Sequence, residues 1–480
     1  MKRILFLVWL FAIAAIAAQL EVGPGQTYTT ISAALTAANP NDVINIHEGN
    51  YTETCAIVDA GLTLQSNASD TVTIYGRITA SGRSNLVING LNLVGSANTW
   101  TATLHGIDLQ NSVNMSIFNC EIDGGSNLTG SASAIYVRNS SEVYIGTNFI
   151  HGAEKGINLS SGFSTDDTFE NGVHVRYNTI TDCLHDGIDI LGEYFTINNN
   201  LIYNNMDTNW SAFHPDGIQF IRSDVDGYSN VRFARLYNNI IYNHTQNIYL
   251  EGWGTNDPVS NVQIWNNVLF NQNTGIVNGV DMSAVDNLHN IQIRGGQDIW
   301  IYNNTFGPDS GSGIRIFNDV NTNVPGSGIQ KPNSIFIKNN IFYEDDASEN
   351  SYEITWDTDA TNAFAANAVD YNLYYLPHNK AVSWYGTNYT SMAAFAAAHP
   401  QEANGQQGDP LMGALPTPSL TSSSPAKDAG VALGSPYDTD ILGFSRPSGA
   451  AWDMGAYEFD QGKWSPTWVP SVSGLRLEAD

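Results

Sequence analysis

The chain has 480 residues, and its 47 Asp and Glu against 19 Lys and Arg leave a formal net charge of −28 at pH 7. No basic stripe is available to neutralise phosphates, which argues against nucleic acid as a partner. Hydrophobic residues at 42% and aromatic residues at 11% are enough for a large core, which excludes a disordered chain.

At the start, Met1-Lys2-Arg3 is basic, Ile4 to Ile16 is apolar, and Ala15-Ile16-Ala17-Ala18 offers small residues for cleavage. Residues 1–18 read as a signal peptide, and the expectation is a secreted protein, extracellular or periplasmic, with no membrane attachment after removal. An uncleaved anchor is the alternative, although the apolar run is short for a ~20-residue span. Cys55, Cys120 and Cys183 are odd in number and match no zinc spacing, so buried free thiols are expected. Ile31 to Ala38 reads as a short amphipathic helix, and Asp42 to Tyr51 as the start of the first β-coil.

From there the chain repeats. One element is apolar-x-x-Asn-x-apolar, as in Val175-Arg-Tyr-Asn178-Thr-Ile180, Leu236-Tyr-Asn-Asn239-Ile-Ile241 and Ile337-Lys-Asn-Asn340-Ile-Phe342. From Asn148 onward these Asn lie 30, 22, 39, 28, 37 and 36 residues apart, and Cys120 occupies the same column. A second element, Gly-Ile or a close variant, opens each unit: Gly106-Ile107, Gly156-Ile157, Gly187-Ile188, Gly217-Ile218 and Gly313-Ile314. A fixed minimum with variable excess means a constant coil carrying loops of different length. Short β-branched strands separated by Asn and Gly turns at this period predict an all-β parallel β-helix. Stacked coils ~4.8 Å apart place the Asn side chains above one another, where each amide can donate to the next carbonyl in a structural ladder. An open coil end exposes strand edges, so the helix near residue 31 is expected to cap it.

The N-terminal pattern with the Asn and Gly-Ile repeats resembles the pectin-lyase-like right-handed parallel β-helix superfamily over about residues 20–375. Gly408-Asp409-Pro410, Ser424 to Gly430 and Trp452 to Glu458 resemble the closing module of many bacterial secreted β-helix proteins. The domain reading is a β-helix with its N-terminal cap over 19–400, an irregular C-terminal cap over 401–460 and a tail over 461–480.

With the Ile of each Gly-Ile inward, the residue after it points outward, giving the column Asp108, Tyr136, Asn158, Asp189, Gln219, Tyr249. Two residues on, the column is Gln110, Arg138, Ser160, Leu191, Ile221, Glu251. The residue before each Gly gives His105, Ser133, Lys155, Asp186, Asp216, Gln246. Three adjacent coils thus bring Lys155, His185, Asp186, Asp189, His214, Asp216 and Arg222 toward one patch. Two carboxylates one coil apart repel unless a cation, a shared proton or a basic neighbour offsets them. An Asp before Gly is also ordinary turn chemistry, so the patch has a purely structural reading as well. Trp210, Tyr194, Phe213, Tyr228, Tyr249 and Trp253 lie in or beside the insertions of these coils, and exposed rings stack on sugars. Asp166, Asp167, Asp207, Asp224 and Asp226 are weaker candidates for a Ca²⁺ loop site.

The superfamily resemblance implies a polysaccharide lyase that cleaves acidic, uronate-containing glycans by β-elimination. In that reading Lys155, His185, His214, Asp216 and Arg222 are catalytic, and Asn158, Gln219, Tyr249, Glu251 and Trp210 bind substrate. Asp186, Asp189 and Asp216 hold Ca²⁺, and no organic cofactor is needed. A glycoside hydrolase using paired Asp, a C5-epimerase and a non-catalytic glycan-binding or adhesin-like protein are the alternatives, and a monomer is expected.

Overall fold

The computed structural model describes residues 17–459, apart from 69, 97–98, 102, 126–131, 161–167, 209, 221–230, 253–258, 273–274, 286–287, 318–331, 346–350 and 358–367. Residues 1–16, most of the expected signal peptide, and the tail 461–480 lie outside the described residues.

Among the described residues the chain winds through three sheets of 13 strands each, parallel except that Thr387–Tyr389 folds back antiparallel on Val382–Trp384 at the end of one. Sheet A starts at Gln19–Val22, sheet B at Gly49–Tyr51 and sheet C at Thr54–Ile57, and each coil contributes one strand to each in the order A, B, C. This is the parallel β-helix the repeat predicts. One apolar core runs inside it from Leu20 to Phe395, built by the inward Ile, Val and Leu of every coil. Gln19–Val22 pairs in parallel with Val43–Ile46, so sheet A begins one strand before the first coil read from sequence.

The Asn column is the A-to-B turn. The Asn239 backbone N–H and Nδ2 both donate to Asn267 Oδ1, at 2.9 and 3.0 Å, and Nδ2 also reaches Ile197 O at 3.0 Å. The same pattern links Asn148, Asn178, Asn200, Asn239, Asn267, Asn304, Asn340 and Asn372. The residue before each ladder Asn has a positive φ, as at Asn199 (56°), Asn238 (56°), Asn266 (53°) and Asn339 (57°). This explains the Asn-Asn pairs: the first tolerates the left-handed turn and the second makes the ladder. Glu402 ends the row, its Oε1 accepting from Asn372 Nδ2 at 2.7 Å and from Tyr374 OH at 2.6 Å.

The glycine of Gly-Ile serves close stacking. A Cβ on Gly217 would stand 2.5 Å from the carbonyl oxygen of Asn247 on the next coil and 2.5 Å from Ile241 Cγ2.

The ends are closed as caps require. Helix α1 (Ile31–Ala37) buries Ile31, Ala34 and Leu35; Thr30 caps it, and Glu53 accepts from the N–H groups of Ile31 and Ser32 at 2.9 and 2.7 Å. At the far end α3 (Met392–Ala398) buries Met392 and Phe395 beside Trp384. The segment from about 408 to 459 runs back along the flank. Ile441, Ala456 and Tyr457 pack on Leu201, Ile240, Val268 and Phe270, while Tyr437 and Trp452 pack on Trp265 and Tyr302. All three cysteines are buried free thiols. No helix among the described residues is long and apolar enough to cross a membrane.

Candidate active site on the outer face of sheet C

Parallel register fixes the outward columns. Asp108, Tyr136, Asn158, Asp189, Gln219, Tyr249 and then Gln292 are consecutive partners across sheet C. Ser133 pairs with Lys155, Asp216 with Gln246, and Gln246 with His289. Glu251 pairs with Arg294.

In the column before the glycines, side chains capture backbone N–H groups of the following coil. Asp186 Oδ1 accepts from Asp216 N at 2.9 Å, and Asp216 Oδ1 accepts from Gln246 N at 3.1 Å. His105 Nδ1 does the same for Ser133 N at 3.1 Å, and His289 Nδ1 for Ser312 N at 2.8 Å. Asp186 and Asp216 therefore each spend one oxygen on coil stacking, which leaves the second oxygen for other work.

Asp186 Oδ2 does that work. Lys155 Nζ lies 3.2 Å from it, and His185 Nδ1 lies 3.9 Å away. Lys155 also pairs with Asp189 Oδ2. Asp186, Asp189 and Asp216 are sealed at 2%, 0% and 0% exposure, whereas the side chains of Lys155 and His185 stay 14% and 17% open. Asp189 Oδ1 and Asp216 Oδ2 are buried with no hydrogen-bond partner.

The electrostatics follow from this burial. Desolvation, then the charge of Asp186, pushes Asp216 well above the usual carboxylate range. Asp189 is also raised, since burial outweighs the pull of Lys155. For Lys155 the balance reverses. Burial works against its charge, but Asp189 and Asp186 more than offset it and raise its pKa, so it remains an ammonium. Burial, then the Lys155 charge, lowers the His185 pKa and favours a neutral imidazole.

The remaining sequence candidates divide. Asn158 and Gln219 flank Asp189 in its column. Tyr249 continues that column one coil on, and Glu251 Oε1 lies 3.4 Å from Arg294 Nη1. His214 is exposed, with a positive φ of 49°. Trp210, in the short helix α2 (Trp210–Phe213), packs on the satellite cluster of Met206, Val277, Val280, Met282, Val285 and Leu288. Tyr194 stacks on Phe233 at 4.9 Å, where the strands Glu193–Asn198 and Arg232–Tyr237 of sheet A begin. Arg222, Tyr228, Trp253, Asp166, Asp167, Asp224 and Asp226 lie outside the described residues, as does the Phe213 side chain. Arg294 and His289 escaped the sequence reading because their coil opens with Asn290-Ile291 rather than Gly-Ile; the Asn247-Ile248 coil before it was the available clue.

The carboxylates do not fit a Ca²⁺ cage as they stand. The Lys155 ammonium contacts two of the three, and among the described residues no group of three or more His, Cys, Asp or Glu is arranged to hold a metal ion.

Fold and patch together define a right-handed parallel β-helix with a charged cluster on the outer face of one sheet, and comparison with known proteins agrees on the fold. A family model described as a right handed beta helix region matches residues 58–226. The A-module of the Azotobacter vinelandii mannuronan C-5 epimerase AlgE6 is 12% identical, with a TM-score of 0.52, covering 79% of this chain and 93% of that one. The PL6 family polysaccharide lyase Pedsa3628 from Pseudopedobacter saltans is 14% identical, with a TM-score of 0.46 and coverage of 84% and 95%. The tailspike protein of E. coli bacteriophage HK620, in complex with a pentasaccharide, is 12% identical, with a TM-score of 0.44 and coverage of 76% and 72%. No curated protein matches the chain. The resemblance to the pectin-lyase-like superfamily thus holds as a likeness of fold.

Proposed function

We propose that this is a secreted enzyme acting on uronate-containing polysaccharides, which removes the proton beside the uronate carboxylate and cleaves the chain by β-elimination. The observation that carries the reading is the convergence of Lys155 Nζ and His185 Nδ1 on one oxygen of Asp186, at 3.2 and 3.9 Å. Abstraction beside a carboxylate requires its negative charge to be neutralised and a base to be at hand. The Lys155 ammonium, locked in its charged form by Asp186 and Asp189, supplies the first. The neutral His185 imidazole supplies the second. The C5 proton passes to His185, its electron pair forms the C4–C5 double bond, and the C4–O bond breaks, the leaving oxygen taking a proton from the imidazolium or from water. Asn158, Gln219 and Tyr249 line the strip along which neighbouring sugars lie, and the buried Asp189 and Asp216 hold the cluster in place. The fold shared with a mannuronan C-5 epimerase supports this reading, because epimerisation and elimination open with the same proton abstraction.

The test is incubation with alginate, polygalacturonate and neutral polysaccharides, following the absorbance of the unsaturated product together with solvent-hydrogen exchange at C5. His185→Ala is expected to lower kcat about 100-fold or more with an unchanged thermal midpoint. Because the His185 pKa is lowered, activity is expected to persist down to pH 6.5 and to fall only below it. A chelator is expected to leave turnover intact, since Lys155 carries the neutralising charge. Exchange without absorbance would convert the reading to an epimerase, and binding without either would make the protein a glycan-binding solenoid.

A further inference from the structure

Sheet A also carries an organised outer face, and it is not the face that holds the cluster on sheet C. Its outward column runs Tyr144, His174, Thr196, Arg235, Gln263, Trp300, each one coil from the next. In a chain with 47 acidic residues, this column holds no Asp or Glu. The parallel column beside it, Gly146, Arg176, Asn198, Tyr237, Trp265, Tyr302, holds none either, although from Tyr237 onward it is packed beneath Tyr437 and Trp452 of the closing segment, so the open part of the face is its Tyr144–Arg176 end.

The cations here are placed on rings rather than on carboxylates. The Arg176 guanidinium lies 4.3 Å from the Tyr144 ring centroid and 6.0 Å from that of Tyr177, and Arg235 lies 3.7 Å from that of Phe169. Neither Arg176 nor Arg235 makes an ion pair among the described residues, and Arg235 Nε is buried without a hydrogen-bond partner. Several of the scarce cations elsewhere are tied down, as in Arg77–Asp108, Arg232–Glu193, Arg315–Asp357 and Arg446–Glu458, whereas Arg83 and Lys338 make no ion pair among the described residues. Arg176 and Tyr177 are exposed, Tyr144, His174, Arg235 and Trp300 are half-buried, and Thr196 and Asn198 on the coil between the two arginines are buried.

We infer that this face is a second, non-catalytic binding surface for an anionic polysaccharide chain. Guanidinium groups on coils two apart, ~10 Å, meet carboxylates along the strand, and the flanking rings stack on the sugar faces between them. Charge complementarity selects the ligand: on a molecule of net charge −28, an acid-free strip with two arginines that make no ion pair among the described residues is a place where a polyanion can lie. A glycan held there keeps the enzyme on a polymer while another stretch meets the Lys155–Asp186 cluster on sheet C, which raises the local substrate concentration. The choice of an acidic glycan rests on the uronate reading of the sheet C cluster; the surface itself rests on its own residues.

Affinity electrophoresis of the full chain through gels containing alginate or polygalacturonate, with dextran as the neutral control, tests this. The wild type is expected to be retarded by the polyanions and not by dextran, with retardation falling as salt is added. The double variant Arg176→Ala/Arg235→Ala is expected to lose at least tenfold in apparent affinity for the polymer, and Tyr144→Ser several-fold. Both should keep the wild-type thermal midpoint and the wild-type turnover of short oligosaccharides. Retardation unchanged in the double variant, or a wild type that ignores both polyanions, would overturn the inference. Retardation that the double variant loses, in a protein with no turnover on any substrate, would overturn the lyase reading and leave this surface standing.

Discussion

Asn239 shows how much one side chain does in a stacked fold. Its Oδ1 accepts from both the backbone N–H and the Nδ2 of Asn200, each at 3.0 Å, and its own Nδ2 satisfies Ile197 O. Asn239→Ala leaves those buried groups unpaired, and about 1–3 kcal/mol for each orphaned group predicts a loss of roughly 3 kcal/mol or more, read from the denaturant midpoint. Glu402, the last acceptor of the same row, brings a pH dependence. Burial raises its pKa from the ordinary 4.5 to about 7, against the hydrogen bonds from Tyr374 and Asn372. The folded state therefore keeps a proton that the unfolded chain has already lost, so the stabilisation is full below pH 4.5 and disappears as pH rises through about 7. Glu402→Gln keeps the acceptor without the charge, and it is expected to flatten the fall in thermal midpoint between pH 5 and 8. A variant that follows the wild-type curve would show that another group titrates. The ladder was legible in the sequence because identical residues recur at coil spacing. Glu402 was not, because a single terminal acceptor leaves no periodic trace.

At the scale of elements, the closing segment behaves as a side plate rather than a lid. Arg446 is fully buried, with Nη1 2.8 Å from Glu458 Oε1, while Nη2 reaches Gly455 O at 2.9 Å and Asn266 Oδ1 at 3.1 Å. It ties the segment both to itself and to the turn edge of the coils. Asn303 and Asn339, first members of Asn-Asn pairs, add bonds to Asp453 O at 3.1 Å and Val431 O at 2.8 Å. Removing one partner of such a buried pair strands the other charge, so Arg446→Ala is expected to cost about 3–5 kcal/mol. The expected signature is faster hydrogen exchange and proteolysis within 408–459, with the coils of the N-terminal half unaffected; uniform destabilisation along the whole molecule would refute this. The resemblance to closing modules led to the expectation of a cap over these residues. Their place along the flank depends on apolar contacts with Leu201, Val268, Trp265 and Tyr302, which lie far back in the chain and mark no local pattern.

Across the whole molecule, stacking converts sequence period into function by bringing columns of side chains together on flat outer faces. Sheet C gathers carboxylates around one lysine and one histidine, while sheet A keeps a strip free of acid in a strongly acidic chain. The sequence by itself determined the coil, the ladder, the N-terminal cap and the outward columns, because each depends on alternation or recurrence over a few residues, and parallel register carries that recurrence across coils. Tertiary structure decided the rest. Which aspartates Lys155 pairs with, which oxygens are spent on stacking, and where the closing segment lies are all set by burial and by contacts between distant residues. Desolvation and ion pairing change steeply over an ångström, and no spacing in the chain encodes that.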